Sequence, residues 1–228
     1  MIWSLSSLIS DPLGTLKQLA CLIPVILLSL TLHEWGHAFA AHKCGDDTAK
    51  NMGRMTLNPL AHLDPIGFLS MLLFGFGWAK PVPVNARNFR NYRKGEAIVS
   101  LAGVLMNLLL VIGFSILTMF FLYLAYTRDY AWLSSEILWS VLVMGVSINI
   151  VLMLFNLLPV FPLDGYHVFE LLFSRHLPAK VFLFLRRYGQ FILIGLLIAM
   201  QVFKFSPASK LSSLILSGLS KLAYLWFG

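Results

Sequence analysis

Charge is what this sequence has least of. Only 12% of the 228 residues are Asp, Glu, Lys or Arg, and the acidic share is ten residues; a soluble domain carries about a quarter charged residues. That stock cannot build a water-facing surface around a core, so a soluble globular protein is excluded. Cysteine is nearly absent too. Cys21 lies in an apolar run and Cys44 beside a charged turn, so no disulfide framework is implied. Internal repeats and low-complexity tracts are missing. Nothing resembles a nucleic-acid module, and the net charge of +7 reads as the Lys/Arg bias of membrane-protein loops, with no nucleic-acid partner expected. A cleavable secretory signal is not expected either. The first strong apolar run starts near Leu19 and leads into a His/Glu motif that cleavage would sever.

What the sequence has in abundance is apolar length: 58% hydrophobic residues and a mean hydropathy of +0.80. Leu19–Ala41 is long enough to span a bilayer, which takes about 20 apolar residues, and Pro24 within it is tolerable where neighbouring helices satisfy the freed carbonyl. Residues 42–65 read as turns and short strands. Ile66–Gly77 is apolar but too short to cross, which points to a re-entrant segment. Lys80–Lys94 is a basic surface loop containing PVPVN. Two strong spans follow, Ala97–Tyr126 and Ile137–Leu158, then a short helix after LLPVFPLDG and a span ending near Phe203. The tail Leu211–Phe227 either spans or lies at the interface. The expected fold is an all-α polytopic membrane protein: one domain over residues 1–228, with a core at about 19–170, C-terminal helices over 171–228, and a bundle of about four to six transmembrane segments. A small β or re-entrant element is expected between the first two main spans.

Charge placement orients the chain. If Ile66–Gly77 does not cross, residues 42–95 lie on one side and hold Lys43, Lys50, Arg54, Lys80, Arg87, Arg90, Arg93 and Lys94, whereas the 127–136 turn holds only Arg128. The positive side is cytoplasmic, so the N-terminus is expected outside the cell membrane. Residues 159–166 then return to the side where the first helix ends. A crossing by 66–77 would send them to the other side.

The C-terminal half of that first helix carries His33-Glu34-Trp35-Gly36-His37, an H-E-x-x-H. Residues four apart share a helix face, so both imidazoles reach one ion, and zinc suits two nitrogens from one helical turn. Glu34 projects about 100° around the helix from His33, where a carboxylate takes a proton from water rather than binding the metal. Ionisable groups inside a membrane span cost about 2.5–3.5 kcal/mol or more each, and they mark function by default. A catalytic zinc usually keeps three protein ligands and one open position. Asp164, in FNLLPVFPLDGY, is the best candidate for the third, although a helix N-cap is an open alternative for it. His42, His62, Asp64 and His167 are rivals: His42 is expected at the interface, His62 and Asp64 in a turn, and His167 exposed.

Several motifs in order carry a resemblance: HEWGHA, LNPLAHLDPIG (57–67), WAKPVPVN (78–85), LAGVLMN (101–107) and FNLLPVFPLDG (155–165). Together they cover about residues 30–170 and resemble the site-2 proteases, a family of intramembrane zinc metalloproteases. The short stretch between 107 and 155 leaves no room for a PDZ domain, and the roughly 60 residues after 170 leave none for a cystathionine-synthase-like domain, as in the short bacterial members. The resemblance implies a zinc endopeptidase acting in regulated intramembrane proteolysis, with one zinc per chain held by His33, His37 and Asp164. Glu34 would be general base and acid. Asn156 would steady the substrate carbonyl, with a packing hydrogen bond between helices as the open alternative, and Asn107 and Asn149 would be packing polar groups. The implied substrates are single-span membrane proteins: anti-sigma factors, signal-peptide remnants or membrane-bound regulators. The 43–95 region could clamp an unwound substrate as an added strand. Two residues depart from the family pattern. Val104 stands where a proline is usual, and Tyr166 follows Asp164-Gly165 where a small residue is common. A zinc transporter is the rival reading, but transporters show repeats and paired broken helices, and this chain has one HExxH and no matching half.

Overall fold

A computed structural model describes residues 10–74, 77–128, 130–203 and 207–227. Nine α-helices run through them: α1 Pro12–Cys44, α2 Thr48–Asn51, α3 Pro59–His62, α4 Pro65–Phe74, α5 Tyr92–Thr127, α6 Glu136–Asn156, α7 Asp164–Phe173, α8 Ala179–Val202 and α9 Pro207–Phe227. Among the described residues four helices, α1, α5, α6 and most of α8, are long and apolar enough to cross a membrane. The protein is thus a multi-pass membrane protein of all-α class.

Local chemistry sets the ends of these helices. Asp11 accepts a hydrogen bond from Gly14 N at 3.0 Å, ahead of Pro12, so a free N–H is capped where proline has none to offer. At the other end Gly45 takes φ 110° and returns its N–H to α1 carbonyls, a left-handed stop that suits glycine. Asn91 opens α5 by accepting from Lys94 N. Between its caps α1 is 33 residues long, about 50 Å at 1.5 Å per residue, and His37 lies about 10 Å from its C-terminal end.

α1, α5 and α6 pack against one another to make the core. Val111 and Phe114 of α5 meet Leu142, Val146 and Ile150 of α6 and Ala208 of α9, while Leu22 and Val25 of α1 meet Ile148 of α6. α9 is not among the spanning helices. It lies along α5 and α6 through Ala208, Leu211, Ile215 and Leu216 and leaves Tyr224, Leu225 and Trp226 exposed.

The segment between α1 and α5 was expected to hold short strands. Among the described residues it holds none, only one antiparallel bridge between Leu63 and Ala79. The re-entrant expectation fares better, although residues 75 and 76 lie outside the described ones. α4 has ten residues, about 15 Å, half of what a 30 Å hydrocarbon core needs. Its two flanks lie side by side: Lys80 N donates to His62 O at 2.9 Å beside the Leu63–Ala79 bridge. The chain therefore enters and leaves the segment at one place. Gly67 and Gly77 permit this, since a Cβ at Gly67 would overlap the Trp78 carbonyl and one at Gly77 the Gly67 carbonyl.

Candidate metal centre

His33 and His37, one turn apart on α1, bring their Nε2 atoms to 3.1 Å. Asp164 opens α7 and places Oδ2 at 3.4 Å from His33 Nε2 and 3.3 Å from His37 Nε2. Both histidines are buried and Asp164 is half-buried. The N-cap of α7 is Leu163 and Asp164 is its first helical residue, so the N-cap alternative does not describe it.

The hydrogen bonds behind the rings show what the cluster can hold. His33 Nδ1 donates to Asn107 Oδ1 and His37 Nδ1 donates to the Val99 carbonyl, both at 2.7 Å. An imidazole that carries its proton on Nδ1 has a bare lone pair on Nε2. Asp164 Oδ2 is buried without a hydrogen-bond partner. Two imidazole nitrogens and a carboxylate oxygen therefore face one another across a small gap, an arrangement that a bound cation stabilises. Their separations of 3.1–3.4 Å match the roughly 3.3 Å edge of a tetrahedron with ligands at 2.0–2.1 Å from zinc. The residues fit the metal.

Close helix approach makes room for this. Gly36 of α1 packs on Ala102 and Met106 of α5, and Gly103 of α5 lies over the imidazole pair, where a Cβ would overlap both rings. α5 runs unbroken through Val104, so the missing family proline leaves the approach intact.

Glu34 is buried, and its Oε2 accepts from Val82 N at 2.9 Å. Val82 belongs to a strap without regular secondary structure, residues 80–85. Pro81 and Pro83 have no N–H, so Val82 carries the strap's donor at this point. The strap is tied on both sides. Arg54 Nη2 donates to Lys80 O at 2.8 Å and to Pro81 O at 3.3 Å, and Asn85 N donates to Asp46 Oδ2 at 2.7 Å. Asp46 is fully buried and also accepts from Thr48 and Asn88. Burial works against its charge, yet the hydrogen bonds from Thr48, Asn85 and Asn88 hold its carboxyl below the usual carboxylate range.

The rival ligands are tied elsewhere. His42 pairs with Asp47, His62 Nε2 donates to Thr56 O at 2.8 Å, and Asp64 accepts from Gly67 N at 2.8 Å. His167, expected exposed, is instead half-buried and pairs through Nδ1 with Glu96 Oε1 at 3.0 Å, which fastens α7 to α5. Asn156 donates from Nδ2 to Leu152 O of its own helix at 3.0 Å. Tyr166 is fully buried on the α8 side, where its hydroxyl accepts from Arg186 Nε at 2.9 Å. It lies about 200° around α7 from Asp164, so its bulk does not crowd the ligand face. The sequence reading gave Asn107 to packing, but it is the partner of His33. Its signal was its place in LAGVLMN, four residues after Gly103 and so on the same helix face.

A cavity of about 460 Å³ lies along α1 in the turns before His33, lined by Leu27, Leu30 and Thr31 of α1, Phe68 and Met71 of α4, Phe155 of α6 and the start of α9.

Comparison with known proteins bears on this site. A family model described as peptidase family M50 matches residues 123–198, which include Asp164. "Putative zinc metalloprotease YwhC" of Bacillus subtilis is 44% identical over 167 residues, covering 73% of this chain and 75% of that protein. "Putative zinc metalloprotease Rip2" of Mycobacterium tuberculosis strain H37Rv is 31% identical over 193 residues, covering 82% and 69%. The chain belongs to peptidase family M50, the site-2 proteases. "Putative zinc metalloprotease Rip2" of Mycolicibacterium smegmatis is also 31% identical, over 175 residues, covering 73% of this chain and 64% of that protein. No solved structure matches significantly. As an M50 member with this fold, the protein is a membrane zinc metalloprotease.

Proposed function

We propose that this M50 protease is an intramembrane endopeptidase that cleaves peptide bonds of single-span membrane proteins, at one zinc site formed by His33, His37 and Asp164 near the cytoplasmic face. The observation that carries the site is the convergence of His33 Nε2, His37 Nε2 and the buried Asp164 Oδ2, with both rings held through Nδ1. The cytoplasmic placement, with the N-terminus outside, rests on the eight basic residues of the 42–95 region against the single Arg128 across the membrane.

When bound, zinc supplies Lewis acidity: it lowers the pKa of a coordinated water towards about 7 and polarises a carbonyl. The protein's own residues do the rest. Val99 and Asn107 hold the imidazoles from behind. Val82 N–H fixes Glu34 Oε2, so the other carboxylate oxygen is aimed for proton transfer. Glu34 takes a proton from the attacking water as its oxygen bonds the scissile carbon. It passes that proton to the amide nitrogen as the C–N bond breaks. Asn156 has spent one amide hydrogen on Leu152 O; the other would be offered to the substrate carbonyl. A helical substrate must unwind first, because its backbone is internally hydrogen-bonded, and the apolar cavity beside α1 is suited to the segment next to the cleaved bond. Anti-sigma factors, signal-peptide remnants and membrane-bound regulators are substrates of the right form.

The test is the purified full chain in detergent, assayed for bound zinc and for cleavage of a single-span substrate. Wild type is expected to hold about one zinc, Glu34→Gln to keep the zinc and lose cleavage, and Asp164→Ala to lose both. Cleavage by Glu34→Gln at the wild-type rate would refute the mechanism.

A further inference from the structure

His37 and His33 reach the same protonation by different routes. For His37 the Nδ1 partner is a backbone carbonyl, Val99 O, which can only accept. For His33 the partner is a side-chain amide, Asn107, which has an accepting and a donating end. If Asn107 turned over, its Nδ2 would face His33 Nδ1. The ring proton would then move to Nε2 and point into the metal centre. Something must decide which way Asn107 faces.

Three fully buried side chains on three helices make that decision. Asn107 Nδ2 of α5 donates to Asn149 Oδ1 of α6 at 2.9 Å. Asn149 Nδ2 donates to Gly145 O at 2.8 Å and to Ser29 Oγ of α1 at 3.0 Å. Ser29 Oγ donates its own proton to Val25 O at 2.7 Å, so towards Asn149 it can only accept. The chain ends in backbone carbonyls, Gly145 O and Val25 O, whose polarity cannot be reversed. Gly145 O requires the amide nitrogen of Asn149 on its side, which turns Asn149 Oδ1 towards Asn107. That places Asn107 Nδ2 towards Asn149 and Asn107 Oδ1 towards His33. Turning Asn107 over would set two buried acceptors against each other, with no water in a lipid-enclosed core to relieve them.

We infer that Asn149, which makes no hydrogen bond to a metal-ligand candidate, is a positioning residue that fixes, through Asn107, on which nitrogen of His33 the ring proton sits. The inference rests on the zinc-site reading above. It makes a directional claim that a packing role does not: the requirement is for orientation of Asn107, and a group with no orientation to set should dispense with Asn149. A carboxylate is such a group, since both its oxygens accept.

The experiment measures zinc affinity of the metal-stripped full chain in detergent, by competition with a chromophoric chelator. Wild type, Asn149→Leu and the double variant Asn107→Asp/Asn149→Leu are compared, each checked for folding by thermal melt. Asn149→Leu is expected to weaken zinc binding by about 10–100-fold, the range for partners of metal-bound histidines, and the double variant to return to within about threefold of wild type. If Asn149→Leu does not fold, Asn149→Ala carries the same comparison. Unchanged affinity in the single variant, or a double variant no better than the single, overturns the relay while leaving the zinc site standing. Failure of wild type to bind zinc removes the site and the relay together.

Discussion

Gly103→Ala should destroy the metal centre while leaving the bundle folded. A Cβ at Gly103 lies 2.6 Å from His33 Nε2, with His33 Cε1 and His37 Nε2 closer still, whereas ordinary contact begins at 3.4 Å. The rings must therefore retreat by about 0.8–1.0 Å or α5 must lift away, in an interior packed too densely to absorb either freely. Neither is easy. The rings are held from behind by Asn107 and the Val99 carbonyl at 2.7 Å, and Val99 and Asn107 lie on α5 itself, so lifting α5 also pulls on the bonds that orient the rings. A displacement of about 0.8–1.0 Å is four to five times the roughly 0.2 Å that a zinc site tolerates.

Zinc affinity is therefore expected to fall by at least about 100-fold, while overpacking costs the fold about 1–3 kcal/mol. Chelator competition measures the first and chemical or thermal denaturation the second. Gly113→Ala, on the same helix with nothing within 4 Å of its Cβ, is the control; it should bind zinc normally and stabilise α5 by up to about 1 kcal/mol. If Gly103→Ala binds zinc as tightly as wild type, the imidazoles are not held where the metal reading needs them. If both variants lose zinc alike, the effect belongs to the helix and the steric argument fails.

Other tests address separate parts of the site. Asn156→Ala should lower kcat by about 100-fold if its amide meets the developing oxyanion, with zinc content unchanged; a packing role would leave kcat near wild type and lower the melting temperature instead. Asp46 gives a pH dependence with a definite sign. Its folded pKa is depressed, so its stabilisation of the strap is fully present above its unfolded value of about 3.9 and is lost as pH falls through the lower folded value. Proteolysis across residues 80–90 should therefore be slower in wild type than in Asp46→Asn at pH 6, and the gap should close as pH drops below about 4; a gap independent of pH would refute the assignment.

Residues differed in how far they could be read without the fold. His33, Glu34 and His37 were legible because helical spacing alone puts them on one turn of a span where ionisable groups are costly. Asp164, 127 residues after His37, was legible only through the parity of crossings, and that parity depended on one short segment failing to cross. The strands expected nearby did not form because LNPLAHLDP and PVPVN alternate like strands while their prolines withhold the N–H groups a ladder needs. Lys80 N goes to the His62 carbonyl, but Val82 N and Asn85 N go to side chains, Glu34 and Asp46. Asn107 and Asn149 were visible as polar residues in apolar helices, but their partners depend on how α1, α5 and α6 are rotated against one another. That register is set where Gly36 meets Ala102 and Met106 and where Gly145 meets Phe114, a property of pairs of helices that no single segment contains. The candidate ligands of such a centre can thus be brought together from spacing and topology. The groups hydrogen-bonded behind them cannot, because they are chosen by helix contacts and end in backbone carbonyls that every sequence has.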